Sequence, residues 1–362
     1  MAETPKPRIA HPYHMHDCIM DQPDVISQVL QSQGQAAQEL ANRVASAERV
    51  HLVGIGTSWH ASLVGESLLR RVGGCNDARA WNAFEFCAYP PRLSGRDVVV
   101  VLSHTGTTTY PQRALDLAGE SGAVTALITG QDSSAKVEMA DVVLRTSYGD
   151  KSSAYTVSHT AAMTALAMVA VRLAEGTRSQ EASALNRLPA TTKSALSLEP
   201  QVRGLVRIYK EMDWYCFAGW GPNAATAYEV ALKVNESAYA ITTAFQLEQF
   251  LHGPFVATSP GCLATFIAPP GPGYQRALGV ARAVKETGAQ VVALVQDGDN
   301  EMASVVDRHL SLPSVQEFLT PIAYLAPLQL FTYWLALERG CNPDTFRLDD
   351  PKHAAALKPI TF

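Results

Sequence analysis

A run of four valines and a leucine at residues 98–102 constrains the fold of this chain more than any other feature. A strand built only from aliphatic residues is buried on both faces, which is typical of a parallel sheet covered by helices on each side. A loop, SHTGTT (103–108), follows it, and then a helix-forming segment with Pro111 in its first turn, where a missing N–H costs little. The segment therefore predicts one strand–loop–helix unit of an α/β protein.

The loop at 103–108 is a candidate anion site. Its hydroxyl groups precede a helix N-terminus, whose free N–H groups and partial positive charge favour an anion. No lysine follows Gly106, so the loop is not a nucleotide-binding Walker loop. A neutral cradle of hydroxyls suits the phosphate of a sugar monophosphate. A threonine-rich helix cap without any ligand is the alternative.

The pattern of strands, glycines and helices occurs twice. The segment at 50–56 is a strand that ends in a Gly-x-Gly turn, and its Gly54 and Gly56 recur as Gly219 and Gly221 after the strand at 214–218. Later segments also recur in order: the strands at 98–102, 123–129 and 142–145 as 262–268, 291–295 and 309–312, and the helix at 157–174 as 318–340. Such a duplication predicts an α/β fold with two tandem doubly wound parallel-sheet domains.

We assign residues 1–47 to an N-terminal arm and helices, 48–195 to the first domain, and 196–362 to the second domain with a C-terminal tail. The arm itself, residues 1–20, is expected to be a loose lead-in. The second loop reads APPGPG (268–273) and has lost its hydroxyls, so we expect one phosphate site.

Composition and spacing argue against several classes of function. The net charge of -5 is unsuited to a nucleic-acid surface. The longest apolar stretches are too short for a membrane span. The third glycine of a dinucleotide fingerprint is missing after Gly56, which disfavours NAD. The six cysteines are scattered, and the histidines at 11, 14 and 16 are expected in an ordinary exposed segment. We expect no cofactor, no metal and a cytoplasmic location.

Three groups of residues could carry chemistry. Glu229, Lys233 and Glu236 are spaced i, i+4, i+7 and share one helix face; a solvated Glu–Lys pair is the alternative. His252 precedes a Gly-Pro turn and could carry a proton, although a histidine satisfied within its loop is common. Lys358 lies in the tail, where an exposed lysine is the ordinary interpretation. If buried, its amine could attack a carbonyl.

Taken together, these motifs resemble the double sugar-isomerase-domain (SIS) family, which includes the isomerase half of glucosamine-6-phosphate synthase and stand-alone amino-sugar-phosphate isomerases and deaminases. The resemblance covers roughly residues 48–362. It rests on GIGTSWHA (54–61), VLSHTGTT (101–108), YEVALKVNESAY (228–239), LHGP (251–254) and LKPITF (357–362). It implies flavodoxin-like domains.

The resemblance also implies roles for individual residues. Glu236 would be the base that moves a proton between C1 and C2, and Lys233 would support the site. His252 would assist ring opening, reaching in from the partner subunit of a homodimer, and Lys358 would contact the open-chain sugar and form a Schiff base. The implied substrate-binding residues are Ser103, Thr105 and Thr108 for the phosphate, His104 beside them, and Thr57 and Ser58 for the sugar.

The chain departs from the family pattern in places that bear on the substrate. His104 stands where the synthase has glutamine, and residues 152–156 read SSAYT instead of a V-A-S-T or A-A-T type loop. No cysteine follows Met1, so glutamine-dependent synthesis is not expected of this chain alone. We expect deamination of an amino sugar 6-phosphate such as glucosamine 6-phosphate, or plain aldose–ketose isomerisation. A fructosyl-amine 6-phosphate deglycase and a non-catalytic phosphosugar sensor are the alternatives.

Overall fold

The computed structural model describes residues 6–133, 137–174 and 179–360. Three helices lead into the first repeat: α1 (His14–Met20), α2 (Gln22–Ser32) and α3 (Gly34–Ala45). The first repeat consists of β1 (Arg49–Gly54), α4 (Thr57–Arg71), β2 (Ala78–Asn82), α5 (Ala83–Ala88), β3 (Asp97–Leu102), α6 (Thr109–Glu120), β4 (Val124–Thr129), β5 (Val142–Arg145) and α7 (Val157–Leu173).

Two helices, α8 (Ser179–Leu196) and α9 (Glu199–Tyr209), connect the repeats. The second repeat consists of β6 (Trp214–Gly219), α10 (Asn223–Ala238), β7 (Thr242–Gln246), α11 (Leu247–Leu251), β8 (Cys262–Ala268), α12 (Tyr274–Glu286), β9 (Gln290–Gln296), α13 (Asn300–Ala303), β10 (Arg308–Leu312), α14 (Thr320–Ala323), α15 (Leu325–Glu338) and the tail helix α16 (Pro351–Leu357). Short 3₁₀ turns occupy Val137–Met139, Pro254–Ala257 and Glu317–Leu319.

Each repeat forms a five-stranded parallel sheet with the same strand order. The first sheet runs β2-β1-β3-β4-β5 and the second runs β10-β9-β8-β6-β7, which is the same order read from the opposite edge. Every strand pair is parallel, and all six residues of β3 are buried, as the run at 98–102 predicts. The predicted fold class, two tandem doubly wound domains, is confirmed.

The duplication extends to single hydrogen bonds. At the start of β5 the carboxylate of Asp141 accepts a hydrogen bond from the backbone N–H of Thr125, at 2.8 Å. At the corresponding place in the second sheet, the carboxylate of Asp307 accepts one from the N–H of Val291, also at 2.8 Å. These two aspartates satisfy the backbone N–H of the second residue of β4 and of β9.

The N-terminal segment is not the loose lead-in that the sequence suggests. Residues 14–20 form α1, in which Met15 and Ile19 are fully buried and which packs against α15 of the second repeat. Its free N–H groups at His14 and Met15 donate to the carboxylate of Asp344, both at 2.9 Å. The N-terminal segment is therefore attached to the C-terminal part of the chain. The proposed domain boundaries at 47 and 195 remain predictions.

The neighbouring histidines are also held. The ring of His11 hydrogen-bonds the Tyr333 hydroxyl at 2.6 Å, and the ring of His16 lies 2.7 Å from the Glu199 carboxylate. No helix among the described residues is long and apolar enough to span a bilayer.

Substitution of Gly54, the last residue of β1, tests whether the turn after this strand has room for a side chain. A Cβ at Gly54 would overlap the backbone of Ser58, just as one at Gly219 would overlap that of Asn223. We therefore expect Gly54→Ala to lower the free energy of unfolding by about 2 kcal/mol or more, because the backbone must move. Urea denaturation measures it. Gly119→Ala, at a helical position with no neighbouring atom within 4 Å, is the matched control and should be neutral or stabilising.

Candidate functional site

The site lies where the first helix of each repeat meets the other. Helix α4 follows β1 and α10 follows β6, and the two helices contact each other across the domain boundary. The turn before α4 requires glycine twice: Gly54 has no room for a Cβ, and Gly56 adopts a φ of 56°. This turn places Thr57 at the start of α4, facing α10.

The predicted face of α10 is confirmed, but it is not solvated. Lys233 lies between two carboxylates, with its Nζ 2.6 Å from Glu236 and 3.5 Å from Glu229. The side chains of Lys233 and Glu229 are only 1% and 0% exposed. A buried ion triad costs much more to desolvate than a surface pair does, so the alternative of an ordinary solvated pair is wrong.

The first domain supplies the remaining partners of this triad. The ammonium of Lys233 donates to the Thr57 hydroxyl at 2.9 Å, and that hydroxyl donates to Glu229 at 3.3 Å. The ring of His60, one turn along α4, lies 2.7 Å from the other oxygen of Glu229. His60 was missed from the sequence, although its i, i+3 spacing from Thr57 puts both on one face of α4.

The three charged groups differ in the direction in which their surroundings shift the pKa. Burial alone would raise the pKa of Glu229, but Lys233, His159 and His60 hold it at about 2, so Glu229 is a permanent anion. Burial opposes the charge of Lys233 as well, yet the carboxylates of Glu229 and Glu236 raise its pKa. Burial raises the pKa of Glu236 despite the adjacent ammonium. Glu236 is therefore the best proton acceptor of the three.

His159, on α7, lies behind the triad. Burial lowers its pKa to about 4, so the ring is neutral at physiological pH. Its Nδ1 has no hydrogen-bond partner among the described residues. The ring is therefore a neutral neighbour of Glu229 on the core side.

The loop at 103–108 contains buried polar atoms without partners. The hydroxyl of Ser103 and both ring nitrogens of His104 are buried and have no hydrogen bond among the described residues. Thr108 occupies the position before α6 but makes no capping hydrogen bond, and the hydroxyls of Thr105 and Thr107 contact each other at 2.9 Å. Unsatisfied buried polar atoms are rare, and a bound ligand is one way to satisfy them.

Tyr155 connects this loop with the triad. Its ring lies 5.9 Å from that of His104. Burial raises the pKa of the Tyr155 hydroxyl, which also feels the charges of Asp150, Lys233 and Glu236. Asp150 in turn holds the start of α7 by accepting from the N–H groups of Thr156 and Ser158, at 2.9 and 3.0 Å. Tyr155 therefore lies beside the loop and within electrostatic reach of Glu236.

Two predicted site residues lie apart from it. The side chain of His252 is 71% exposed, with Glu248 at 3.5 Å, and Lys358 is exposed at the end of α16. Within the described part of this single chain, no contact joins either residue to Glu236. Ser58 is half-buried, and its carbonyl accepts from the Ser62 hydroxyl. The roles of these residues stay predictions.

The corresponding loop of the second repeat is filled by the protein itself. The indole of Trp220 covers Gly273, whose Cβ would lie 2.5 Å from the ring. The carboxylate of Glu317 lies beside Gly271 and pairs with Arg71 of the first domain at 2.9 Å. This second cradle therefore presents a carboxylate and a ring where the first presents hydroxyls.

The chain belongs to the SIS domain family, whose members match it over residues 43–172 and 213–339. It is 28% identical over 346 residues to an isomerizing glutamine–fructose-6-phosphate aminotransferase of Thermococcus kodakarensis, an alignment that covers 93% of this chain and 57% of that protein. The predictions of the family and of an enzyme belonging to it are thus confirmed. The chain spans little more than half of that relative.

Solved structures agree on the fold. The C-terminal domain of glucosamine-fructose-6-phosphate aminotransferase from Francisella tularensis has a TM-score of 0.85 at 22% identity, covering 92% of this chain and 98% of that one. Glucosamine-6-phosphate deaminase from Thermotoga maritima has a TM-score of 0.75 at 19% identity, covering 92% and 97%.

The buried ammonium gives a test of the triad. In Lys233→Met the two carboxylates lose their counterion, and we expect the free energy of unfolding to fall by about 3–5 kcal/mol. Without the ammonium, burial places the carboxyl pKa values above their unfolded values, so stability is retained at low pH and lost as pH rises. The deficit should therefore be larger at about pH 8 than at about pH 5.

Denaturant titrations at both pH values measure this deficit. Adding Glu229→Gln to Lys233→Met should recover part of it, since one buried charge is removed. Lys285→Met is the control: that ammonium forms a surface pair with Asp307 at 3.2 Å, and its loss should cost less than about 1 kcal/mol. An equal deficit at the two pH values would contradict a buried, counterion-dependent triad.

Proposed function

We propose that this chain is a phosphosugar aldose–ketose isomerase that deaminates an amino sugar 6-phosphate resembling glucosamine 6-phosphate, giving fructose 6-phosphate and ammonia. One arrangement carries the proposal: Glu236, the most accessible carboxylate of the triad, and a loop of unsatisfied polar atoms are both neighbours of Tyr155. A base and an anchor for a distant phosphate are the two parts that this reaction needs.

The proton transfer is assigned to Glu236. In the open-chain sugar, Glu236 takes the proton from C2 and returns it to C1, which leaves an imine at C2. Water then hydrolyses the imine to the ketone and releases ammonia. Lys233 remains an ammonium, because it donates hydrogen bonds to Glu236 and Thr57 and forms an ion pair with Glu229 at 3.5 Å. It therefore stabilises negative charge and does not act as a nucleophile.

The phosphate is assigned to the loop at 103–108. The Ser103 hydroxyl and the His104 ring could donate to phosphate oxygens, which would satisfy the unpartnered atoms found there. Thr105 and Thr108 add hydroxyls beside the N-terminus of α6, where the helix dipole favours an anion. Binding energy from this remote group holds C1 and C2 at the base. Thr57 and Ser58 are proposed to contact the sugar.

His252 and Lys358 enter the proposal through a second copy of the chain and the tail. His252 is exposed next to Val256, which is 85% exposed, and such a surface is suited to contact with another protomer. We propose a homodimer in which His252 assists ring opening in its partner's site, while Lys358 contacts the open-chain sugar. The six cysteines, all within described segments, are unpaired, which fits a cytoplasmic protein.

Plain aldose–ketose isomerisation is the second candidate. It is supported by a tagatose-6-phosphate ketose/aldose isomerase of Escherichia coli, with a TM-score of 0.79 at 20% identity. A fructosyl-amine 6-phosphate deglycase would use a similar carboxylate and histidine. A non-catalytic sensor has less support, because a buried base of raised pKa is not required for binding alone.

An assay of ammonia and ketose with a panel of hexose, hexosamine and fructosyl-amine 6-phosphates tests the function. We expect ammonia and ketose in equal amounts from a hexosamine 6-phosphate. Glu236→Gln should bind the phosphosugar with unchanged affinity but lose turnover by roughly a thousandfold, because the base is absent. Glu120→Gln, at the end of α6, is the control. Full activity in Glu236→Gln would disprove the assigned base, and binding without turnover of any substrate would favour a sensor.

Mixing two inactive variants tests the shared site. In a heterodimer of Glu236→Gln and His252→Ala chains, one of the two sites has both native residues if His252 acts across the interface. An equimolar mixture refolded together should therefore recover roughly a quarter of wild-type activity. If His252 acted within its own chain, every site would lack one group, and the mixture would stay inactive.

A further inference from the structure

A row of four side chains, in which nitrogen-bearing groups alternate with carboxylates, crosses the domain boundary. It runs from His60 on α4 through Glu229 and Lys233 to Glu236 on α10, with successive distances of 2.7, 3.5 and 2.6 Å. Glu236, at the end of the row, is 14% exposed, whereas the other three side chains are less than a tenth exposed. Glu236 is thus the most accessible of the four side chains, and His60 is at the opposite end of the row.

Glu229 is the centre of the competition for Lys233. A carboxylate can only accept hydrogen bonds, so the shared hydrogen of the His60 contact lies on Nδ1 of the ring. His60 and Thr57 therefore supply Glu229 with two donors from the first domain, and Lys233 adds an ion pair at 3.5 Å. The better Glu229 is satisfied by His60, the less it draws the ammonium away from Glu236.

We propose that His60 is a positioning residue that acts through Glu229 and Lys233 on the proton affinity of Glu236, so that the first domain adjusts the base carried by the second. This proposal rests on the function proposed above. His60 is not assigned a contact with the sugar or its phosphate. Within the row it contacts Glu229 and not Glu236, so we expect its effect to depend on Glu229 being present.

Other ionisable groups around the row are fixed contributors. Tyr155, after β5, faces Lys233 and Glu236, and Asp150 adds negative charge near Lys233. His159 on α7 faces Glu229 and stays neutral because burial lowers its pKa to about 4. These groups belong to the first domain and are unchanged by substitution of His60, so a change in the titration of Glu236 reports on the row itself.

The row predicts opposite effects for two neighbouring substitutions. In His60→Leu, Glu229 loses a hydrogen-bond donor and therefore draws the ammonium of Lys233 towards itself. Glu236 is then less well paired with that ammonium. The acid limb of the pH profile of kcat/KM should therefore move to higher pH by about 0.5–1 unit. In Glu229→Gln, the anion that raises the pKa of Glu236 is removed and Lys233 pairs with Glu236 alone. The limb then moves down by a similar amount.

The double variant separates a positioning role from a merely structural one. If His60 acts through Glu229, adding His60→Leu to Glu229→Gln should leave the acid limb where Glu229→Gln put it. His60→Asn, whose amide nitrogen replaces Nδ1, should restore a limb close to wild type and covers the case in which His60→Leu does not fold. His51→Asn is the matched control, since this buried histidine contacts Trp81 in the first sheet and should shift neither limb.

A measurement without turnover keeps this proposal distinct from the proposed function. The carboxyl carbon of Glu236, titrated by 13C NMR in the free protein, should shift its midpoint in the same directions as the kinetic limb. If no phosphosugar is turned over but these midpoints move as stated, the function fails and the role of His60 stands. If both substitutions move the midpoint the same way, or His60→Leu still acts in the Glu229→Gln background, the role of His60 is disproved.

Discussion

The ammonium of Lys233, buried between Glu229 and Glu236, is the interaction on which the site depends. A charge removed from water is tolerated only when its partners are close and all its N–H groups are used. Two of those partners lie on α10, but the Thr57 hydroxyl comes from α4. The site around this charge is therefore complete only when the two domains are in contact.

Much of the fold could be predicted from the sequence, because the strands of a covered parallel sheet are continuous runs of aliphatic residues. Residues 98–102 could only be a strand covered on both faces, and the recurrence of Gly54 and Gly56 as Gly219 and Gly221 identified the second domain. The i, i+4, i+7 spacing on α10 correctly placed three residues on one face. Spacing does not reveal what a face packs against, and for this reason the solvated alternative seemed reasonable.

The rest depends on contacts between distant residues. His60 and Glu229 are 169 positions apart in the chain, and Met15 of α1 is 329 positions from its hydrogen-bond acceptor, Asp344. No local pattern announces such a pair, so a Pro-rich lead-in looked like a loose arm although it contains a buried helix. His252 illustrates another limit, because the role proposed for it needs a second protomer and a single chain cannot test it.

Because Trp220 and Glu317 fill the second cradle, only the first of the two repeats has a loop that is open to an anion. A cradle that already contains its own ring and carboxylate has nothing to gain from closing on an anion, and its carboxylate would repel one. In the proposed function, phosphate binding is therefore assigned to the first repeat alone. The second repeat contributes the acid, Glu236, and its own loop has no ligand to hold.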